Sequence, residues 1–301
     1  MNDRTHNITI SACETSTKEL VYIIIPVYNR KATTLKCLEH LQDCRNLQQY
    51  HIVVIDDGST DGTKEAILNS HPEVEILDGD GNLWWTGAMA KGMEYAYNRG
   101  AEYFIWLNDD CLPAPDTLNQ MVQFMKSNPN TLVAPSCYAD FDSRQIQHNG
   151  FQGRVGCAAK LGEVLEVDGM SGWCVGIPAT VYKKIGAPDA KKFPHYSGDD
   201  IYTLQATKAG FKAYLIGDLQ ATLFGGVHEN LEIQDYFKPG LTPVDTFKAL
   251  FINKKSPYRL ATRFFVFIER YGRFIGILIF INRLFIWQIQ WLRMQLKLQF
   301  S

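Results

Sequence analysis

The stretch "YFIWLNDDCLPAP", residues 103–115, joins an aromatic and β-branched run to an amide and two carboxylates without any spacer. Tyr103 to Leu107 have the composition of a strand covered on both faces. Asn108, Asp109 and Asp110 follow at once, and Pro113 and Pro115 bar a smooth passage into helix. A core strand therefore delivers adjacent negative charges to its carboxyl end.

Two earlier stretches have the same form. "VYIIIPVYNR" (21–30) is an apolar run stopped by Pro26, and "HIVVIDDGST" (51–60) is a buried run ending in Asp56, Asp57 and Gly58. Between and after them, residues 31–44, 64–69 and 86–99 carry helical spacing, and "VEIL" (74–77) reads as a short strand. This alternation predicts an α/β fold: a mostly parallel, Rossmann-type sheet flanked by helices. In such sheets ligands sit beyond the carboxyl ends of the strands. Pro26 to Arg30, Asp56 to Thr60 and Asn108 to Asp110 then share one rim, whose density of carboxylates calls for a cation. Hard oxygen donors suit Mg²⁺ or Mn²⁺ held together with a ligand's phosphates.

Composition sets the limits. The 301 residues are 46% hydrophobic and 21% charged, which argues for a folded chain, and the net charge of −2 gives no sign of a nucleic-acid partner. That total hides an asymmetry: residues 245–301 carry ten bases against two acids, whereas residues 1–244 carry twenty against thirty. Seven scattered cysteines without a C-x-x-C pair read as reduced core thiols of a cytoplasmic protein, with Cys111 the one beside chemistry. The polar residues 1–19 read as a loose leader without a secretory signal.

At these residues the chain resembles the family-2 glycosyltransferases of GT-A fold, and most of all bacterial rhamnosyltransferase-like enzymes of surface-polysaccharide assembly. "IIIPVYNR", "VVIDDGSTDGT" and "WLNDD" stand in that family's order; "GNLWWTGAMAKGMEYA" (81–96), "SGWCVGIPATVYKKIG" (171–186) and "GDDIYTLQATKAGFKAYLIGD" (198–218) resemble its donor, acceptor and base segments. The resemblance covers about residues 20–230 and implies inverting transfer from a UDP- or dTDP-sugar to a hydroxyl of a glycan or lipid-linked acceptor, assisted by Mg²⁺ or Mn²⁺.

It also implies roles. Pro26, Val27, Tyr28 and Arg30 would border the nucleotide, and Asp56 or Asp57, followed by Gly58, would accept from the base's imide edge. Trp84, Trp85 and Gly87 would approach the sugar, with Gly172 and Trp173 on the acceptor side. Asp110 would be the metal ligand, beside Asn108 and Asp109 in place of the usual Asp-x-Asp, and His228 would complete the shell. Asp200, with Asp199 next, would be the general base. Each Asp has a plainer reading as a turn former or helix cap.

From Pro257 the tail mixes Phe, Trp, Leu and Ile with Arg and Lys, the composition of a helix lying in a membrane interface. Its apolar stretch, 274–287, is interrupted by Arg283 and reads as too short to span a bilayer. The expectation is three parts: leader 1–19, catalytic domain 20–244 and basic helical tail 245–301, the tail lying on the inner face of an anionic membrane. A docked helical pair or a homo-oligomer interface is the competing reading of that tail.

Two other functions compete with this reading. A sugar-phosphate nucleotidyltransferase needs a glycine-rich basic loop after the first strand, where this chain has "PVYNRKATT". An inactive nucleotide-sugar-binding protein would be expected to lose Asp110 or the Asp199–Asp200 pair.

Overall fold

The computed structural model describes residues 18–139, 145–224, 232–238 and 240–299. The chain begins with β1 (Val21–Val27), α1 (Lys31–Asp43), α2 (Asn46–Gln49), β2 (His51–Asp56), α3 (Thr63–Ser70), β3 (Glu75–Asp78), α4 (Trp84–Asn98) and β4 (Tyr103–Leu107). There follow β5 (Cys111–Pro113), α5 (Thr117–Ser127), β6 (Thr131–Tyr138) and five short strands, β7 (Ile146–Gln147), β8 (Gly150–Gln152), β9 (Val155–Cys157), β10 (Val164–Glu166) and β11 (Gly169–Met170). The last part holds β12 (Cys174–Pro178), α6 (Ala179–Ile185), α7 (Gly198–Lys208), β13 (Lys212–Leu223), a 3₁₀ turn (Ile233–Tyr236), α8 (Pro243–Phe251), α9 (Leu260–Tyr271) and α10 (Arg273–Gln299).

The main sheet runs β10-β13-β6-β12-β4-β1-β2-β3, with β5 added to β13 and β7 to β6. The half made of β4, β1, β2 and β3 is parallel, as the alternation of elements requires. The other half is mixed, because β12 runs antiparallel between β4 and β6. The expectation of a mostly parallel sheet thus holds for the half built by βα repeats.

The strand period explains the two cores. On β1, Ile23 and Ile25 join Leu38 and Leu41 of α1, whereas Tyr22 and Ile24 join Met89 and Met93 of α4. On β4, Ile105 and Leu107 take the first side and Phe104 and Trp106 the second. Full burial of a side chain of this size stabilises by about 1.5–3 kcal/mol. α4 lies so close to the sheet that a Cβ on Gly92 would come within 2.4 Å of Ile24.

The C-terminal helices are attached to this body. α8 starts with a capping box between Thr242 and Asp245, so the expected boundary at 244 falls inside a helix. α9 packs on α7 and the segment before it: Thr262 Oγ1 donates to the Lys192 carbonyl at 3.1 Å, Lys208 Nζ to the Glu269 carbonyl, and Phe265 meets the Phe193 ring. Val266 is buried with Phe151, Phe193, Ile201 and Leu204.

Gly272, at φ 79°, turns the chain into α10, and Gly276 packs on the Phe267 carbonyl. α10 is one continuous helix of 27 residues, about 40 Å long, with Arg283 on its side and not at an end. By length and composition Arg273–Lys297 suffices to cross a bilayer, and little of its apolar part is buried. The expectation of a segment too short to span is therefore corrected, since a charged side chain interrupts an apolar run without interrupting the helix.

Candidate active site

The loops after β1, β2 and β4 meet at one rim, stitched by side-chain bonds. Asn29 N donates to Ser59 Oγ at 2.8 Å, Thr60 N to Asn29 Oδ1 at 2.7 Å, and Lys31 N to Asp61 Oδ2 at 3.0 Å. Tyr28 stands 56% exposed at the mouth, next to the buried Val27 and the half-buried Pro26. Asp56 and Asp57 are both buried. Asp56 Oδ1 accepts from Ser59 N at 2.8 Å, closing the turn through Gly58 (φ 78°).

Asp57 serves the next loop. Its Oδ1 accepts from Gly81 N at 2.9 Å and Leu83 N at 3.1 Å, and its Oδ2 from Trp84 N at 2.9 Å. Three backbone amides converge on one carboxylate at the start of α4, which leaves it little acceptor capacity for a nucleobase. This anchor holds Trp84 at φ 56°, a backbone region that tryptophan rarely adopts.

Trp84 and Trp85 diverge from there. Trp84 packs edge-on against His195, 5.7 Å between centroids, and its buried Nε1 has no partner among the described residues. Trp85 Nε1 donates to Asn108 Oδ1 at 2.8 Å, so the first residue of the carboxylate motif is already engaged. Gly172 lies beneath this ring, where a Cβ would come within 2.4 Å of Trp85. Gly87 is spent on packing inside α4, facing Leu83 and Ala190. Trp173 is half-buried, and its carbonyl accepts from Asn108 N at 2.9 Å.

Asp109 and Asp110 face Arg30. The guanidinium donates from Nη2 to Asp110 Oδ2 at 2.8 Å, and its Nε lies 3.4 Å from Asp109 Oδ1. Thr34 Oγ1 donates to Asp109 Oδ2 at 2.9 Å. Burial pushes the Asp109 carboxyl up to about 6, against the Arg30 charge and with help from Asp110. Asp109 is thus the more buried of the two, and Asp110 the more open. No cluster of three or more His, Cys, Asp or Glu poised around an ion occurs among the described residues. His228, the expected further ligand, lies outside the described residues.

Residues 22–167 match the family described as Glycosyl transferase family 2. The chain carries a family-2 glycosyltransferase domain.

Its relatives agree. Glycosyltransferase AglE of Haloferax volcanii is 25% identical over 225 residues, 68% of this chain and 67% of AglE. A Methanococcus voltae protein named UDP-N-acetylglucosamine--dolichyl-phosphate N-acetylglucosaminyltransferase is 27% identical over 120 residues, 35% of this chain and 47% of that protein. The mannosyltransferase PcManGT of Pyrobaculum calidifontis, solved with GDP-Man and Mn²⁺, superposes with a TM-score of 0.54 at 18% identity, covering 74% of this chain and 61% of that one. At that identity the likeness is one of fold, and the fold is GT-A.

The remaining part of the candidate site is the start of α7. Asp199 Oδ2 accepts from Gly172 N at 2.7 Å, tying α7 to the loop before β12. A Cβ on Gly198 would overlap Thr86 Oγ1 at 2.0 Å, so α7 and α4 touch at their N-termini. Among the described residues no backbone N–H donates to the Asp200 carboxylate; its Oδ2 lies 3.4 Å from Arg270 Nη2 of α9. Burial raises both carboxyls, and the adjoining Asp199 charge adds to the rise at Asp200, which reaches about 7 against the pull of Arg270 and Arg263. A carboxylate near neutrality is suited to accept a proton.

Strand ends thus bring Asp56, Asp57, Asn108, Asp109 and Asp110 to one rim, and Trp85 and Gly172 link that rim to the Asp199 end of α7. The tail arginines Arg263 and Arg270 were missed by sequence reading. Their basic, apolar surroundings resembled a membrane helix, and no local pattern ties them to residue 200.

Proposed function

We propose that this glycosyltransferase moves a sugar from a UDP- or dTDP-linked donor to a hydroxyl of a glycan or lipid-linked acceptor, with inversion, and that Asp200 is the general base. The observation that carries the reading is the division of labour at the start of α7. Asp199 is spent on the Gly172 amide, while the Asp200 carboxylate takes no amide among the described residues and faces Arg270 instead. In the reaction the acceptor O–H gives its proton to Asp200 as the oxygen bonds the anomeric carbon. The bond from that carbon to the donor phosphate oxygen breaks from the opposite side, and the nucleoside diphosphate leaves.

The donor set fits a divalent ion that arrives with the phosphates. Asp110 supplies one hard carboxylate at the open rim, whereas Asn108 Oδ1 is taken by Trp85. One protein carboxylate plus substrate phosphates is an ordinary Mg²⁺ or Mn²⁺ arrangement. Asp110 would hold the ion, which when bound offsets the charge of the departing diphosphate. Arg30, already on Asp110, would turn toward the same phosphates.

The membrane contact is assigned to α10. Phe274 (78% exposed), Phe285 (64%), Ile281 (56%), Leu278 (55%) and Leu292 (54%) share one face of that helix. Arg293 and Lys297 lie further round the helix, on the side that faces Glu232 and Tyr258. An exposed apolar face on a helix that also carries bases suits an anionic interface, and the lipid phosphate in the name of the Methanococcus relative points the same way.

Thermal unfolding of the full chain with UDP-, dTDP- and GDP-linked sugars, with and without Mn²⁺, tests the donor class. A shift with one uridine or thymidine donor, enlarged by Mn²⁺, is the expected result. Absence of any shift across the panel would overturn the reading.

A further inference from the structure

The C-terminal helices look at first like an appendage, yet α9 reaches the residue assigned as base. Arg270 extends from α9 with its guanidinium carbon 4.3 Å over the Phe151 ring and its Nη2 3.4 Å from Asp200 Oδ2. The ring face fixes the plane of the guanidinium, and the neighbouring backbone is held where Lys208 donates to the Glu269 carbonyl. Arg263, about two turns earlier on α9, is fixed by its Nε on the Pro257 carbonyl and adds a second positive field. The charged groups facing Asp200 are therefore Asp199 from its own helix and Arg263 and Arg270 from α9. Among the described residues Arg270 is the side chain bonded to the Asp200 carboxylate.

This arrangement has a chemical consequence. A carboxylate that must hold its charge next to a second carboxylate, half-buried, needs an opposing cation. It also needs a fixed orientation, because among the described residues no amide pins Asp200 as Gly172 pins Asp199. A stacked guanidinium supplies both: constant charge and a planar donor edge.

We propose that Arg270 of α9 is a positioning residue for Asp200, holding its carboxylate ionised and oriented, so that the C-terminal segment completes the catalytic site. The proposal rests on the reading of Asp200 as base. Arg270 takes no proton and touches no reacting atom.

Two measurements on the full chain test it. The first needs no donor: thermal unfolding of Arg270→Gln, Asp200→Asn and the double variant at pH 5 and pH 8.5. Non-additive effects at pH 8.5 that become additive at pH 5, where Asp200 is neutral, are expected. Additivity at both pH values would overturn the proposal, because a merely structural arginine gives no pH-dependent coupling.

The second is the pH profile of nucleoside diphosphate release from UDP-, dTDP- and GDP-linked sugars. Arg270→Gln should move the acid limb up by about one pH unit, roughly a tenfold loss of rate below it, while Arg270→Lys leaves the limb in place. Should Arg270→Gln fail to fold, Phe151→Leu removes the ring under the guanidinium and is expected to raise the limb by less. An unmoved limb, with Asp200→Asn inactive, overturns this proposal alone. An Asp200→Asn variant at full rate overturns the base assignment and this proposal together.

Discussion

Replacing Asp57 by asparagine should weaken the fold before any nucleotide is added. The carboxylate receives three backbone N–H groups, from Gly81, Leu83 and Trp84, at 2.9–3.1 Å. A hydrogen bond to a charged group contributes about 1.5–3 kcal/mol, and a buried donor left alone costs a similar amount. Asparagine keeps one acceptor oxygen, so the Oδ1 pair survives while its NH₂ opposes the Trp84 N–H. The expected loss is about 2–4 kcal/mol, a large share of the roughly 5–15 kcal/mol that holds a domain together. Space gives no relief, because a Cβ on Gly79 would already lie 2.5 Å from Asp57 Oδ1. The loss should extend to the left-handed Trp84, whose strain of about 1–2 kcal/mol is balanced by that bond. At about 2–4 °C per kcal/mol, Asp57→Asn should melt roughly 5–10 °C below the parent, with altered tryptophan fluorescence. An Asp57→Asn protein that melts with the parent and loses only uridine nucleotide affinity would refute this reasoning, and would return Asp57 to the base-binding role that the family resemblance implies.

Asp110→Ala should abolish transfer and remove the Mn²⁺ dependence of nucleotide binding in calorimetry, while its melting stays close to the parent's; unchanged affinity with and without metal would make the rim structural. Asp200→Asn should lower kcat about 10²–10⁴-fold with donor affinity intact. In the parent, kcat/KM should rise with pH through about 7, since the base must lose its proton and burial raises that carboxyl; a limb near 4 would remove Asp200 from the role. A chain ended at Gly272 should lose sedimentation with anionic vesicles but keep Arg270 on Asp200, and salt should weaken the full chain's binding without abolishing it. A chain ended at Ser256 should melt lower, because Phe193, Ile201 and Leu204 lose their cover, each at about 1 kcal/mol.

How far the sequence disclosed this can be seen residue by residue. Ile23 to Ile25 and Tyr103 to Leu107 announced buried parallel strands because period and composition are local properties. The motifs at 26–30, 56–60 and 108–110 share a rim because chain order in a βα repeat dictates it. The antiparallel placement of β12 was not legible: its pairing with β4 spans some seventy residues, and "CVGIP" reads the same in either direction. The partners of the carboxylates were equally hidden, since an Asp at a strand end has the same composition whether it receives amides, as Asp57 does, or an arginine, as Asp110 does. Tail composition was ambiguous in a physical sense. Phe and Arg on one helix suit a lipid surface, and they equally suit the packing of α9 on α7, where Phe265 meets Phe193 and Arg270 meets Asp200.

Four thiols lie beneath the carboxylate rim and give it a built-in clock. Cys37, Cys111, Cys137 and Cys174 are fully or almost fully buried, and Cys174 Sγ rests 3.9 Å from Met121 Sδ. Cys111 follows Asp110 directly and sits opposite Leu223 in the β5–β13 ladder. Its bond with Cys137, then burial, push the Cys111 thiol up, and burial does the same for Cys174. Neither thiol forms thiolate at neutral pH, and neither meets solvent, so an alkylating reagent must wait for the strands to part. The rate at which Cys111 becomes labelled therefore counts openings of the rim itself. A nucleotide sugar that grips the rim should slow that count in proportion to its occupancy, even where no transfer takes place.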